Sequence, residues 1–249
     1  MIMLFSRPRG TVWPVLSDTA SRTILPLVQE QFVPQLIVFD LGGVLVKVRG
    51  TREVLCEAAR LQPLLAAPSP DVLGALAELE RQATVGAIDS GPLLAQIAEL
   101  LGITVRQARQ VFDSILVGMY PGIPQLLEEL SHSGETMACL SNTNAHHWHM
   151  LMDDGVPEYR CLGLMRYRFA SHLIGCRKPD PAIFQYVEST TGVTGSDIIY
   201  FDDTPEHCAA AAALGWRSHC IDPSGDPARQ ILEKQRCFQI PRRPRPKGR

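Results

Sequence analysis

No apolar run in the 249 residues approaches the roughly 20 residues that span a bilayer, so a membrane-embedded role is set aside. Cys-x-x-Cys pairs are also missing. The seven cysteines, at positions 56, 139, 161, 176, 208, 220 and 237, are odd in number and scattered. That argues against a disulfide framework or a structural zinc and points to reduced thiols in the cytoplasm. Cys139, inside an apolar run, reads as a small hydrophobe. Acids are scarce at both ends. Before residue 30 only Asp18 faces Arg7, Arg9 and Arg22, and the apolar start, Met1 to Phe5, precedes the arginines, the wrong order for a secretory signal. Residues 1–35 show no clear periodicity and are expected to form a poorly ordered extension.

The other end is a basic, Pro-rich tail, residues 236–249. From Pro241 to Arg249 it carries five positive charges and no negative one, and without that stretch the formal charge falls from −2 to −7. A negative body argues against a broad polyanion-binding face, and a Pro-rich charged end reads as solvated chain rather than a nucleic-acid contact. Hydrophobic residues make up 45% and charged residues 20% of the chain, the balance of an ordinary globular protein. Its length suits one α/β domain with a small accessory unit.

Chemistry concentrates at the ends of three apolar runs. Leu36-Ile37-Val38-Phe39 is followed by Asp40 and then Leu41-Gly42-Gly43-Val44. A short run of branched side chains cut off by an acid and two glycines reads as a buried parallel strand delivering a carboxylate to a tight loop. Thr136 to Leu140 is a second such run, ending in Ser141-Asn142-Thr143-Asn144. Ile198-Ile199-Tyr200-Phe201 is a third, ending in Asp202-Asp203. Between them, Arg177-Lys178-Pro179-Asp180-Pro181 sets a lysine just ahead of a helical pattern starting near Ala182. Taken singly, each also has a plain reading, a helix cap or turn for Asp40, Ser141 and Asp202-Asp203 and a surface lysine in a Lys-Pro turn for Lys178.

Residues 49–117 lack strand patterning. Pro70 to Gln82, Ser90 to Leu101 and Thr104 to Ile115 show apolar residues at helical spacing, with Asp89-Ser90 and Thr104 suited to helix starts.

In chain order, Asp, Ser, Lys and Asp-Asp resemble the motifs of the haloacid dehalogenase superfamily, over roughly Leu36 to Ile221. The nearest likeness within it is the subgroup that includes α-D-glucose-1-phosphate phosphatase. Similar wording is found there for Phe39-Asp40-Leu41-Gly42, Leu140-Ser141-Asn142-Thr143-Asn144, Arg177-Lys178-Pro179 and Phe201-Asp202-Asp203. The resemblance implies a doubly wound parallel α/β core, residues 36–48 and 118–235, with a helical cap, residues 49–117. It also implies a Mg²⁺-dependent phosphatase acting on a small phosphorylated metabolite, a sugar phosphate as first guess. Asp40 would be the nucleophile and form an aspartyl-phosphate. Ser141, Asn142 and Lys178 would bind the phosphate, with Ser141 and Lys178 assisting catalysis. Mg²⁺, a hard cation, would take oxygen from Asp40, Asp203 and the backbone carbonyl of Gly42, with Asp202 a direct or indirect partner.

One position departs from the pattern. Most phosphatases of the superfamily carry a second Asp two residues after the nucleophile, as proton donor to the leaving group. Here it is Gly42, as in the glucose-1-phosphate subgroup. General acid/base catalysis contributes about 10² to 10⁴ in rate, so the enzyme is expected to be slow on ordinary alkyl phosphates. His147 is a candidate replacement, and His146 with His149 a conceivable zinc pair, against the plain reading of a polar helix face. A metal-free dehalogenase, or a binding protein of the same fold that has lost turnover, are the alternatives.

Overall fold

The structure is a computed structural model describing residues 35–50, 69–153 and 156–236. Nearly all of the 1–35 extension and of the 236–249 tail, with Cys56 and Cys237, lies outside the described residues.

Five parallel strands form the central sheet in the order β5-β4-β1-β6-β7. They are β1 (Leu36–Phe39), β4 (Met137–Ser141), β5 (Tyr167–Ala170), β6 (Ile198–Asp202) and β7 (Arg217–Cys220). The three apolar runs of the sequence are the three inner strands, each buried throughout. Alternation along them divides the core in two. Ile37, Phe39, Met137, Cys139, Ile199 and Phe201 face one layer, while Leu36, Val38, Ala138, Leu140, Ile198 and Tyr200 face the other. That two-sided burial is why these strands are apolar at every position rather than at alternate ones. Phe39 and Phe201, paired in register, stack with ring centroids 5.5 Å apart.

The edge strands have no such runs. Tyr-Arg-Phe-Ala and Arg-Ser-His-Cys are only partly covered, and nothing in the sequence marks them as strands. A second small sheet, also without a sequence signal, pairs β2 (Val46–Val48) antiparallel with β3 (Leu116–Met119), with an irregularity at Lys47 and Val48.

Between β2 and β3 the described residues form the helices α1 (Pro70–Thr84), α2 (Ser90–Leu101) and α3 (Val105–Asp113). Ser69 caps the first through its hydroxyl, with Pro70 at the opening position where no amide is needed. Gly102, with φ of 63°, ends the second. Thr104 and Gln107 form a reciprocal capping box on the third. Their apolar faces meet in a separate cluster, Leu76, Leu79, Ala83, Leu93, Ile97, Ala98 and Ala108. No helix among the described residues is long and apolar enough to cross a membrane.

Register decides where the chemistry falls. Leu36 pairs with Ile198 and Phe39 with both Cys139 and Phe201. Asp40, Ser141 and Asp202-Asp203 therefore emerge side by side at the carboxyl ends of three neighbouring strands, the place where open α/β sheets gather ligands.

Candidate active site

Lys178 holds the centre. Its side chain is fully buried, and the ammonium lies 3.0 Å from Asp40 Oδ1, 2.7 Å from Asp202 Oδ2 and 2.9 Å from the carbonyl oxygen of Leu140, to which it donates. All three of its protons are thus directed at oxygen. A buried ammonium survives only when so compensated. Burial works against its charge, but Asp40 and Asp202 outweigh that and raise its pKa.

Asn142 fixes this lysine through the backbone. Its Nδ2 donates to the Lys178 carbonyl at 2.9 Å and its Oδ1 accepts the Lys178 amide at 2.8 Å. The Asn142 side chain is thus engaged in the fold, leaving its backbone N–H as the group free of that duty. Ser141 is buried at the end of β4. The loop beyond it is tied down by Ser171, whose hydroxyl accepts from the Thr143 amide at 3.0 Å and donates to the Thr143 carbonyl at 3.1 Å.

The adjacent acids do different work. Asp202 is wholly buried and saturated: Lys178, the Tyr200 hydroxyl, the Thr204 amide at 2.8 Å and His207 Nδ1 at 3.1 Å all converge on its carboxylate. Burial alone would raise its pKa. The hydrogen bond from His207 and the charge of Lys178 prevail and hold it well below the usual carboxylate range. Asp203 is only half-buried and packs against the loop that follows Asp40. A Cβ placed on Gly43 would lie 2.1 Å from Asp203 Oδ2. Gly43 also has φ of 74°, so both its backbone and its neighbour require glycine. Burial and the charge of Asp202 raise Asp203.

Asp40 is 8% exposed, with Oδ1 accepting the Leu41 amide at 2.7 Å. Burial pushes it up to about 7; Lys178 opposes this, and the charges of Asp202 and Asp203 add to it. Asp40 and Asp202 share one ammonium and the charge of Asp203 bears on the same centre, which leaves an excess of negative charge. That donor set, all hard oxygen around an unbalanced negative centre, fits a divalent cation. Ligand atoms of Asp40, Asp202 and His207 lie within 4.8 Å of one another. Asp202, however, already has its lone pairs engaged by Lys178, Tyr200, Thr204 and His207, so the accessible carboxylate oxygens belong to Asp40 and Asp203.

The histidines after β4 do not form a polar face. They sit on α5 (Ala145–Met152), the helix after α4 (Ile123–His132), where His146 and His147 are buried and His149 is exposed. His146 Nε2 meets Asp113 Oδ1 at 2.5 Å, so it has no zinc partner in His149. His147 Nε2 lies 2.9 Å from the Phe112 carbonyl oxygen, which can only accept, so that nitrogen carries the proton and Nδ1 faces the Asn144 amide at 3.2 Å. With both ring nitrogens engaged, His147 is no substitute proton donor. Burial pushes it down to about 4, with the Phe112 carbonyl opposing.

His207, Tyr200 and Phe112 are the residues that sequence reasoning missed. His207 carried a usable signal, because a residue five positions after Asp202, on the first turn of the next helix (α8, Pro205–Ala213, with α6 Ser171–Ile174 and α7 Pro181–Thr191 before it), folds back towards the strand end.

With this geometry in view, the family model for haloacid dehalogenase-like hydrolase matches residues 34–215. The chain belongs to the haloacid dehalogenase-like hydrolases. Among curated relatives of this hydrolase, a phosphoglycolate phosphatase from Pseudomonas savastanoi pathovar phaseolicola is 27% identical over 214 residues, covering 84% of this chain and 76% of the relative. Among solved structures, a haloacid dehalogenase family enzyme from Bacteroides thetaiotaomicron, in complex with magnesium and inorganic phosphate, superposes with a TM-score of 0.66. It is 21% identical, and the match covers 80% of this chain and 100% of that one. An L-2-haloacid dehalogenase from Xanthobacter autotrophicus with covalently bound chloropropionic acid gives 0.52 at 18% identity, over 81% and 83% of the two chains. These likenesses fix the fold, and the phosphatase names of the curated relatives accord with a hydrolase.

Proposed function

We propose that this hydrolase is a Mg²⁺-dependent phosphatase of a small phosphorylated metabolite, working through an aspartyl-phosphate on Asp40. The observation that carries the reading is the placement of the Asp40 carboxylate 3.0 Å from a fully buried Lys178, with Asp203 against the adjoining loop. Relatives named for phosphatase activity, and a fold neighbour bound to magnesium and phosphate, support it.

A phosphate monoester repels an incoming carboxylate, so charge must be neutralised where it builds on the transferring oxygens. When bound, Mg²⁺ supplies part of that neutralisation, held by Asp40, Asp203 and the Gly42 carbonyl. Lys178 opposes the burial that favours protonated Asp40 and keeps the carboxylate aimed, and Asp202 acts through Lys178 by anchoring its ammonium. Ser141 and the Asn142 amide donate to a phosphate oxygen. An Asp40 oxygen attacks phosphorus, and the bond from phosphorus to the ester oxygen breaks with its electron pair staying on that oxygen. The alkoxide so formed takes a proton from a water molecule, leaving hydroxide. That hydroxide attacks the phosphorus of the aspartyl-phosphate, and the bond from phosphorus to the Asp40 oxygen breaks with its electron pair returning to the carboxylate, releasing hydrogen phosphate.

The test is a panel of phosphate esters, including a sugar 1-phosphate and phosphoglycolate, assayed with Mg²⁺ and with EDTA. Hydrolysis that needs Mg²⁺ and disappears in Asp40→Asn is the expected result. Turnover of haloacids that survives EDTA would instead assign a metal-free dehalogenase, and thermal shifts without turnover a binding protein.

A further inference from the structure

The site opens onto a cavity of about 400 Å³ between the Asp40 loop and the three inserted helices. Its two ends differ in chemistry. Gly42, Ser141 and Asn142 lie at the catalytic end. The far wall is hydrocarbon: Leu76, Leu93, Ile97, Val111 and Phe112. Among the described residues lining it, the charged side chains Arg49 and Glu80 are opposite in sign. The volume falls in the range, roughly 300–1,000 Å³, of pockets that enclose drug-sized ligands.

Phe112 is held in place. Its ring stacks on that of His147 with centroids 4.3 Å apart and planes 21° apart, while His147 Nε2 donates to its carbonyl. The buried histidine, itself closed to proton transfer, serves to fix an aromatic wall of the cavity. A hydroxyl-rich leaving group seated against Leu76, Leu93, Ile97, Val111 and Phe112 would shed its hydration on hydrocarbon, at a cost wherever Thr84, Glu80 or Arg49 does not reach it. A planar apolar group would gain by burial and by contact with a fixed ring.

We infer that the preferred substrate is a phosphate monoester whose leaving group is an uncharged, mainly apolar, ring-bearing alcohol, packed against Phe112. This rests on the phosphatase reading above and replaces the sugar phosphate guess.

The experiment compares kcat/KM with Mg²⁺ for ethyl, 2-phenylethyl and 2-(2-naphthyl)ethyl phosphate, which share a primary alkoxide leaving group, together with glucose 6-phosphate and phosphoglycolate. Preference for the naphthyl over the ethyl ester on the order of 10- to 100-fold is expected from the area buried, and Phe112→Ala should shrink that ratio several-fold. Equal rates, or a preference for the sugar phosphate or phosphoglycolate, would overturn the inference and leave the phosphatase reading standing. Binding separates the two further, using 2-(2-naphthyl)ethylphosphonate and ethylphosphonate on the full chain in thermal-shift titrations. If no ester is hydrolysed but the naphthyl phosphonate binds at least tenfold tighter, the cavity assignment holds and the phosphatase reading falls. If the two bind alike, the cavity assignment falls as well.

Discussion

Asn142 and Lys178, 36 residues apart, are joined by two hydrogen bonds running in opposite directions, side-chain amide to backbone carbonyl and backbone amide to side-chain oxygen. The pair locks the loop carrying the buried ammonium to the loop carrying the phosphate donors. Replacing Asn142 with Ala should strand two backbone groups, costing about 1–3 kcal/mol of stability, and lower kcat more than it raises KM. Denaturant melts and steady-state kinetics check this; unchanged kcat would show that the clamp does not position Lys178.

Lys178 balances two carboxylates, Asp202 wholly buried and Asp40 nearly so. Lys178→Met leaves Asp40 and Asp202 without it and is expected to cost about 3–5 kcal/mol. Adding Asp202→Asn should recover much of the stability and none of the activity. Failure of the second substitution to restore stability would place the loss in packing rather than charge.

The two loop glycines should behave oppositely. A Cβ at Gly42 meets only the Val48 methyls, at 3.6 and 3.7 Å, whereas one at Gly43 strikes Asp203. Gly43→Ala should therefore abolish most Mg²⁺-dependent turnover. Gly42→Asp has room and restores an acid beside the leaving group, so rates on alkyl esters are expected to rise by about 10² or more, with a shallower dependence on leaving-group acidity. A steep dependence that persists in Gly42→Asp would contradict the account of the missing acid.

His147 should make the fold acid-sensitive. Its folded value is lowered from 6.5 to about 4, so between those limits the unfolded chain binds more protons than the folded one. Stability is then full above pH 6.5 and falls as pH drops towards 4, by up to about 3 kcal/mol from this residue. Urea melts across that range, for the native chain and for His147→Gln, isolate the contribution. Identical slopes would remove it.

Much of the arrangement was legible beforehand because the inner strands are covered on both faces and must be apolar throughout. Each run therefore announced both its strand and the polar group at its end. Edge strands β5 and β7 gave no such sign, since a strand covered on one side tolerates Arg168, Arg217 and His219. The burial of His146 and His147 was misread as a polar face for a related reason. Their partners, Asp113 and the Phe112 carbonyl, are more than thirty residues away, and helical periodicity says nothing about what a helix packs against.

By itself the sequence determined that Asp40, Ser141 and the Asp202-Asp203 pair close three buried strands, because apolar runs of that length have few other homes in an α/β chain; strand pairing set the three side by side. Only the tertiary structure decided how the two acids divide their work. Asp202 turns inward to Lys178, Tyr200 and His207, while Asp203 turns to the loop after Asp40. Adjacent identical residues look alike in a sequence, and the neighbours that each meets across the fold make them different.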